Sequence, residues 1–144
     1  IVTRRVDEGL VESEAMSTLI QKTGDVLRDV FEVLVIAGGA AESLHRRGEQ
    51  DASITTDNIR YALNRRRIEY KRAISSIDLP QEWQITAEDL WKRLRDMRKR
   101  AIEVLHADPA NMLLLRARAI LEYNGTGWYR LHPLVEELLD EETA

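Results

Sequence analysis

Several cations in this sequence fall at spacings that could meet phosphate groups. Lys92, Arg95 and Lys99, with Arg98 nearby, lie on one stripe of a helix. Such a stripe can neutralise successive phosphates of a nucleic-acid backbone. Asn111, Arg116 and Arg118 offer polar and cationic side chains further on, although the leucines between them suit a core better than a groove. Trp128 and Tyr129 carry faces on which a base could stack, while aromatic strand residues more often pack. Arg65, Arg66 and Arg67 are consecutive, so the helical period spreads them over about 200°. That is the arrangement of a solvated surface. His45, His106 and His132 are not spaced as helical metal ligands, and the chain has no cysteine. There is no G-x-S-x-G to anchor a hydrolytic triad. There is also no G-x-x-x-x-G-K-[ST] phosphate loop. Gly38-Gly39 and Gly125-Thr126-Gly127 lack the lysine and the strand-to-helix setting, so no catalytic residue is nominated.

Composition narrows the classes further. Across 144 residues, 44% are hydrophobic and 32% charged, which is ordinary for one compact domain or two small ones. A net charge of −4 argues against a dedicated, strongly basic nucleic-acid binder. The charge is nevertheless local: residues 60–72 hold six bases and one acid, as do residues 92–100, while the tail from Leu134 is acidic. The absence of cysteine fits a reducing, cytoplasmic setting. No apolar run reaches the roughly 18 residues of a membrane span, so no membrane partner is expected. The chain starts at Ile1, as a trimmed or excised piece would, or as a chain lacking only its start residue would.

The elements that must position these residues are mostly helical. Met16, Leu19 and Ile20 predict a first helix over about Val11–Lys22, stopped by Gly24, with Asp25 as the next N-cap. Leu27, Val30, Phe31, Leu34, Ala37, Ala41 and Leu44 predict a second over about Val26–Arg47. Val33 and Ile36 make it apolar on most sides, as in a central helix. Close packing of another helix, or a kink, would account for Gly38-Gly39. Ile59, Leu63, Tyr70, Ile74 and Ile77 stripe a third helix that begins at Thr55. Pro80 marks a linker over Ser75–Gln84. Thr86 and Asp89 resemble a capping box for a fourth helix, buried through Leu90, Leu94, Met97 and Ala101. Asp108-Pro109 opens a short fifth helix. Ile120–Tyr123 and Trp128–Leu131 read as a hairpin, and Leu134, Val135, Leu138 and Leu139 as a last amphipathic helix. Domains are expected at 1–78 and 82–144.

Two stretches carry a family resemblance. Thr23-Gly24-Asp25-Val26-Leu27-Arg28-Asp29 resembles the sensor-2 segment of AAA+ ATPases, in which a glycine starts a lid helix and an arginine one turn in reaches nucleotide. The first half is similar to the helical lid of that family. The second half, with Leu121-Glu122-Tyr123-Asn124-Gly125, Trp128-Tyr129-Arg130 and His132-Pro133-Leu134-Val135, resembles the winged-helix module appended to bacterial and initiator-type members. Together they cover nearly the whole chain. The resemblance implies a mainly α fold: a lid-like bundle followed by a winged helix with a short hairpin. It implies that Gly24 and Arg28 serve nucleotide, Arg28 as sensor, with Arg28 pairing to Asp25 or Glu32 as the alternative. It implies ATP with magnesium for a parent protein whose upstream core is not in this chain. The chain alone would hold no cofactor. DNA or a partner protein would be the target of the winged helix. A stand-alone DNA-binding regulator and a helical interaction module without nucleotide linkage are the alternatives.

Overall fold

A computed structural model describes residues 9–98, 103–104, 108–123 and 128–141. The fold is mainly helical with a small antiparallel sheet. The chain divides into two compact units between Arg66 and Arg67, so the expected linker over Ser75–Gln84 lies within the second.

The first unit holds α1 (Ser13–Thr23), α2 (Leu27–Arg46) and the opening turns of α3 (Thr56–Ser75). Ala15 and Leu19 of α1, Val30, Val33 and Ala37 of α2, and Ile59 and Ala62 of α3 are buried. Each large aliphatic among them contributes about 1.5–3 kcal/mol by leaving water. The anticipated α2 stripe is only partly realised, because Leu27 is exposed and Phe31, Ile36 and Leu44 are half-buried. An apolar residue on every side of a helix does not say which side the core takes.

α1 stops where expected, with Gly24 in the left-handed region at φ 60°. Asp25 also has a positive φ and belongs to this turn. The N-cap of α2 is therefore Val26, which provides no side-chain cap, and the expectation for Asp25 is corrected. Thr23 Oγ1 donates to Leu19 O at 2.8 Å, so its buried hydroxyl is satisfied inside the turn. Before α1, Val11 forms a parallel bridge with Ile54.

Neither expectation for Gly38-Gly39 finds a cause within the unit. A Cβ at Gly38 would meet Ile54 Cδ1 at an ordinary 3.7 Å, and a Cβ at Gly39 would meet nothing within 4 Å. α2 runs unbroken through both.

α3 and α4 begin with the same device. Thr55 Oγ1 donates to Asn58 Oδ1 at 2.9 Å while Asn58 N donates back to Thr55 Oγ1 at 3.4 Å. Thr86 N and Oγ1 donate to Asp89 Oδ2 at 2.9 and 2.7 Å, and Asp89 N donates to Thr86 Oγ1 at 3.2 Å. These are capping boxes with Asn or Asp in the place of Glu. The bonds from Thr86 hold the Asp89 carboxyl below its ordinary value. A folded-state value below the unfolded one means that this support for α4 is fully present above the usual aspartate range and is lost as pH falls through the lowered value.

The second unit holds the rest of α3, a 3-10 turn at Gln81–Trp83, α4 (Ala87–Arg98), β1 (Glu103–Val104), α5 (Pro109–Arg116), β2 (Ile120–Tyr123), β3 (Trp128–Leu131) and α6 (Pro133–Glu141). The sheet order is β1-β3-β2, all antiparallel, with Ile120 opposite Leu131 and Tyr123 opposite Trp128. β1 was not anticipated; it places Val104 opposite Trp128. Leu90 and Leu94 of α4, Leu114 of α5, Ile120 of β2 and Leu134 and Leu139 of α6 form a fully buried centre. Asp108 caps α5 by accepting from Asn111 N at 2.8 Å, with Pro109 at N1. α5 ends through Arg118, whose φ of 57° sets up the bond from Ala119 N to Leu114 O at 2.9 Å. That position usually takes glycine. Ala101, His106 and the hairpin turn at 124–127 lie outside the described residues.

Candidate functional site

In the first unit, Arg28 occupies the first turn of α2, just past the Gly24 break. Its side chain is 63% exposed, and Nε donates to Glu32 Oε1 at 2.7 Å. The alternative pairing with Glu32 is thus present, one helical turn along. Glu32 does not stop there: its Oε2 lies 2.6 Å from Nη2 of Arg66. The same Nη2 donates to Asp29 Oδ1 at 2.6 Å.

Four charges therefore run in a chain from surface to interior: Arg28, Glu32, Arg66, Asp29. Asp29 is fully buried and the Arg66 side chain only 17% exposed. A buried carboxylate is tolerated when a cation and hydrogen bonds compensate its desolvation, and Arg66 supplies that from α3. The expectation that Arg65-Arg66-Arg67 is a solvated surface is corrected at Arg66, and also at Arg67, which is 23% exposed and pairs with Glu141 at 2.8 Å. Sequence reasoning passed over Asp29 as well, yet a signal existed. Asp29 lies at i, i+4 and i+8 with Val33 and Ala37, both fully buried, and a carboxylate on an apolar stripe calls for a cation elsewhere in the fold.

An open groove of about 890 Å³ also runs along this unit, lined by Val35, Gly39, Ser43, Tyr61 and Arg65 among others. Neither Gly24 nor Arg28 lines it.

In the second unit two cations of the expected basic stripe are already paired with acids. Arg95 pairs with Glu88, and Arg98 with Asp140. Arg93 bridges to Asp108 at 2.9 Å and donates to Asn111 Oδ1 at 3.0 Å, so Asn111 is buried rather than offered to a ligand. Lys92 is exposed, close enough to Asp89 to lower its carboxyl further. Lys99 lies outside the described residues. Arg116 is exposed and Arg118 half-buried. Neither forms a salt bridge among the described residues, nor does Arg130 on β3. Strand alternation puts Arg130 on the same face as Trp128, and Trp128 is 45% exposed. Trp128 and Arg130 thus place an exposed aromatic and an exposed cation together on β3, while Lys92 stays exposed on α4. Sequence alone weighed Trp128 against packing and left Arg130 out.

His45 Nδ1 lies 3.1 Å from Gln50 O, and His132 is buried. Among the described residues no group of three or more His, Cys, Asp or Glu side chains could hold a metal ion. No helix of the described residues is long and apolar enough to cross a membrane. No protein-family model, curated protein or solved structure matches the chain.

Proposed function

We propose that this chain is the C-terminal regulatory part of a P-loop ATPase of the AAA+ type. Its first half acts as the helical lid and Arg28 as the nucleotide sensor. Its second half is a winged helix that carries the lid's movement to DNA or to a partner protein. The chain performs no catalysis of its own. The ATP and magnesium belong to the parent protein's nucleotide-binding core, upstream of these residues. The bistable element is the angle between lid and core, biased by contact with the γ-phosphate.

The observation that carries this proposal is the setting of Arg28. It is an exposed guanidinium on the first turn of a helix that opens after the left-handed pair Gly24-Asp25 and the cap residue Val26. The positive end of the helix dipole favours an anion there. A guanidinium keeps its charge at all working pH values and can make bidentate contact with a phosphoryl group. In the intact parent protein, Arg28→Ala is expected to abolish the nucleotide-dependent change in lid position, read by fluorescence energy transfer between lid and core. Movement of undiminished amplitude in the variant would remove the sensor role.

A second reading, a DNA contact made by this chain alone, is favoured by Trp128 and Arg130 on one exposed face, with Arg116 and Arg118 forming no salt bridge among the described residues. Fluorescence anisotropy of labelled duplex DNA across a salt series tests it. Expected are saturable binding that weakens steeply with salt and a salt slope that falls by about 1 for each phosphate-contacting cation removed. Arg116→Ala and Arg130→Ala should reduce the slope more than Arg95→Ala, because Arg95 is already paired with Glu88. Absence of binding at low salt assigns the second half to protein docking.

A further inference from the structure

We infer that Glu32 is an internal stand-in for a phosphoryl group: its carboxylate sits between Arg28 and Arg66, where an incoming phosphoryl oxygen displaces it. The inference rests on the sensor role of Arg28 proposed above, and adds to it a second cation, Arg66, and an acid that holds the site closed.

The geometry supplies the parts. The two oxygens of Glu32 face two different guanidiniums, at 2.7 Å from Arg28 Nε and 2.6 Å from Arg66 Nη2. Two arginines converging on one carboxylate is also the arrangement that grips a phosphoryl group, because both anions present paired oxygens to planar donors. The hold on Glu32 is unequal. The contact to Arg28 is an aligned hydrogen bond, whereas Oε2 has close charge contact with Arg66 without an aligned bond. An acceptor held mainly by Coulomb attraction is the easier one to exchange.

Burial decides which members of the chain can move. Asp29 is fully enclosed and keeps Arg66 in place through the 2.6 Å bond from Nη2. Glu32 is about one-third exposed and Arg28 nearly two-thirds. An anion arriving from solvent therefore meets a fixed inner cation, Arg66, and a mobile outer pair. The four charges sum to zero in the closed arrangement. Once Glu32 swings out, Arg28 and Arg66 together face the anion while Asp29 still compensates Arg66 from behind. Glu32 makes the site less attractive to weak anions and sets a threshold that a highly charged phosphoryl group passes.

Inorganic phosphate and ATP are the probes, each titrated into the full 144-residue chain with the arginine Nε–H resonances followed by nuclear magnetic resonance. Glu32→Gln keeps the size of the side chain and removes its charge. It is expected to tighten phosphate binding about tenfold, the effect of removing one like charge beside the anion. Arg28→Ala should cancel that gain. Tighter binding of ATP than of inorganic phosphate assigns the exchange to nucleotide, and equal affinities assign it to free phosphate. If Arg28→Ala weakens binding while Glu32→Gln leaves it unchanged, the stand-in role of Glu32 is overturned and the phosphate contact of Arg28 survives. If neither substitution alters binding, both fall. Circular dichroism of each variant, with Glu32→Asp as a shorter carboxylate expected to bind like the parent chain, separates exchange from unfolding.

Discussion

Replacing Arg66 by methionine is expected to destabilise the chain by about 3–5 kcal/mol, the usual cost of stranding one member of a buried ion pair. The reason lies at Asp29, which is fully buried and has Arg66 Nη2 at 2.6 Å. Methionine fills much of the space of the arginine stem but leaves the carboxylate without its cation. Asp29 would then have to take up a proton or draw water into the helix contact. The converse change, Asp29→Leu, should be milder, because Arg66 retains Glu32 at 2.6 Å. Combining Asp29→Leu with Arg66→Met should restore much of the loss, since an apolar pair needs no compensation. Urea unfolding of the four chains measures this directly as a double-mutant cycle. A loss below about 1 kcal/mol for Arg66→Met would mean that the interior tolerates the isolated charge, as only exposed pairs do.

His132→Ala is expected to cost about 3 kcal/mol through two separable contributions, a helix cap and a packed ring. Pro133 is the first residue of α6 and has no N–H, so Leu134 carries the first amide that needs a partner. His132 Nδ1 accepts that bond at 3.2 Å. The same ring packs on Tyr70 with centroids 4.7 Å apart, and His132 is fully buried. His132→Asn preserves an acceptor for the cap and loses the ring. His132→Phe preserves the ring and loses the acceptor. Each should recover about half of the alanine loss in thermal unfolding. If Phe matched the parent chain and Asn matched Ala, the cap would contribute nothing and the bond to Leu134 would be incidental.

These two clusters mark where a sequence stops being readable. Helix starts were legible because their signals are local: Thr86 and Asp89, or Asp108 and Pro109, act within one turn. The hairpin strands were legible from alternation and aromatic content. Asp29 and Arg66 are 37 residues apart, and nothing local links them; only the packing of α2 against α3 selects Arg66 as the partner of Asp29. Asp25 looked like a cap because its type suits one, yet the consecutive positive φ values of Gly24 and Asp25 pass that role to Val26. β1 is two residues long, too short for any period to appear. The stripe on α4 was visible as spacing, but the acids that occupy it come from Glu88 on the same helix and Asp140 on α6. Charge spacing on one helix does not reveal which cations remain for a ligand.

The open position at Gly39 has a practical use. The sequence contains no cysteine, so a single Gly39→Cys substitution gives one thiol and no background in any labelling reaction. A Cβ there meets nothing within 4 Å, so the cysteine enters without a clash at its first side-chain atom. Gly39 lies two helical turns beyond Glu32, about 10 Å along the axis, on a helix that carries both Arg28 and Glu32. A probe at that point would report spectroscopically on the departure of Glu32 from its arginines without touching any of the four charges.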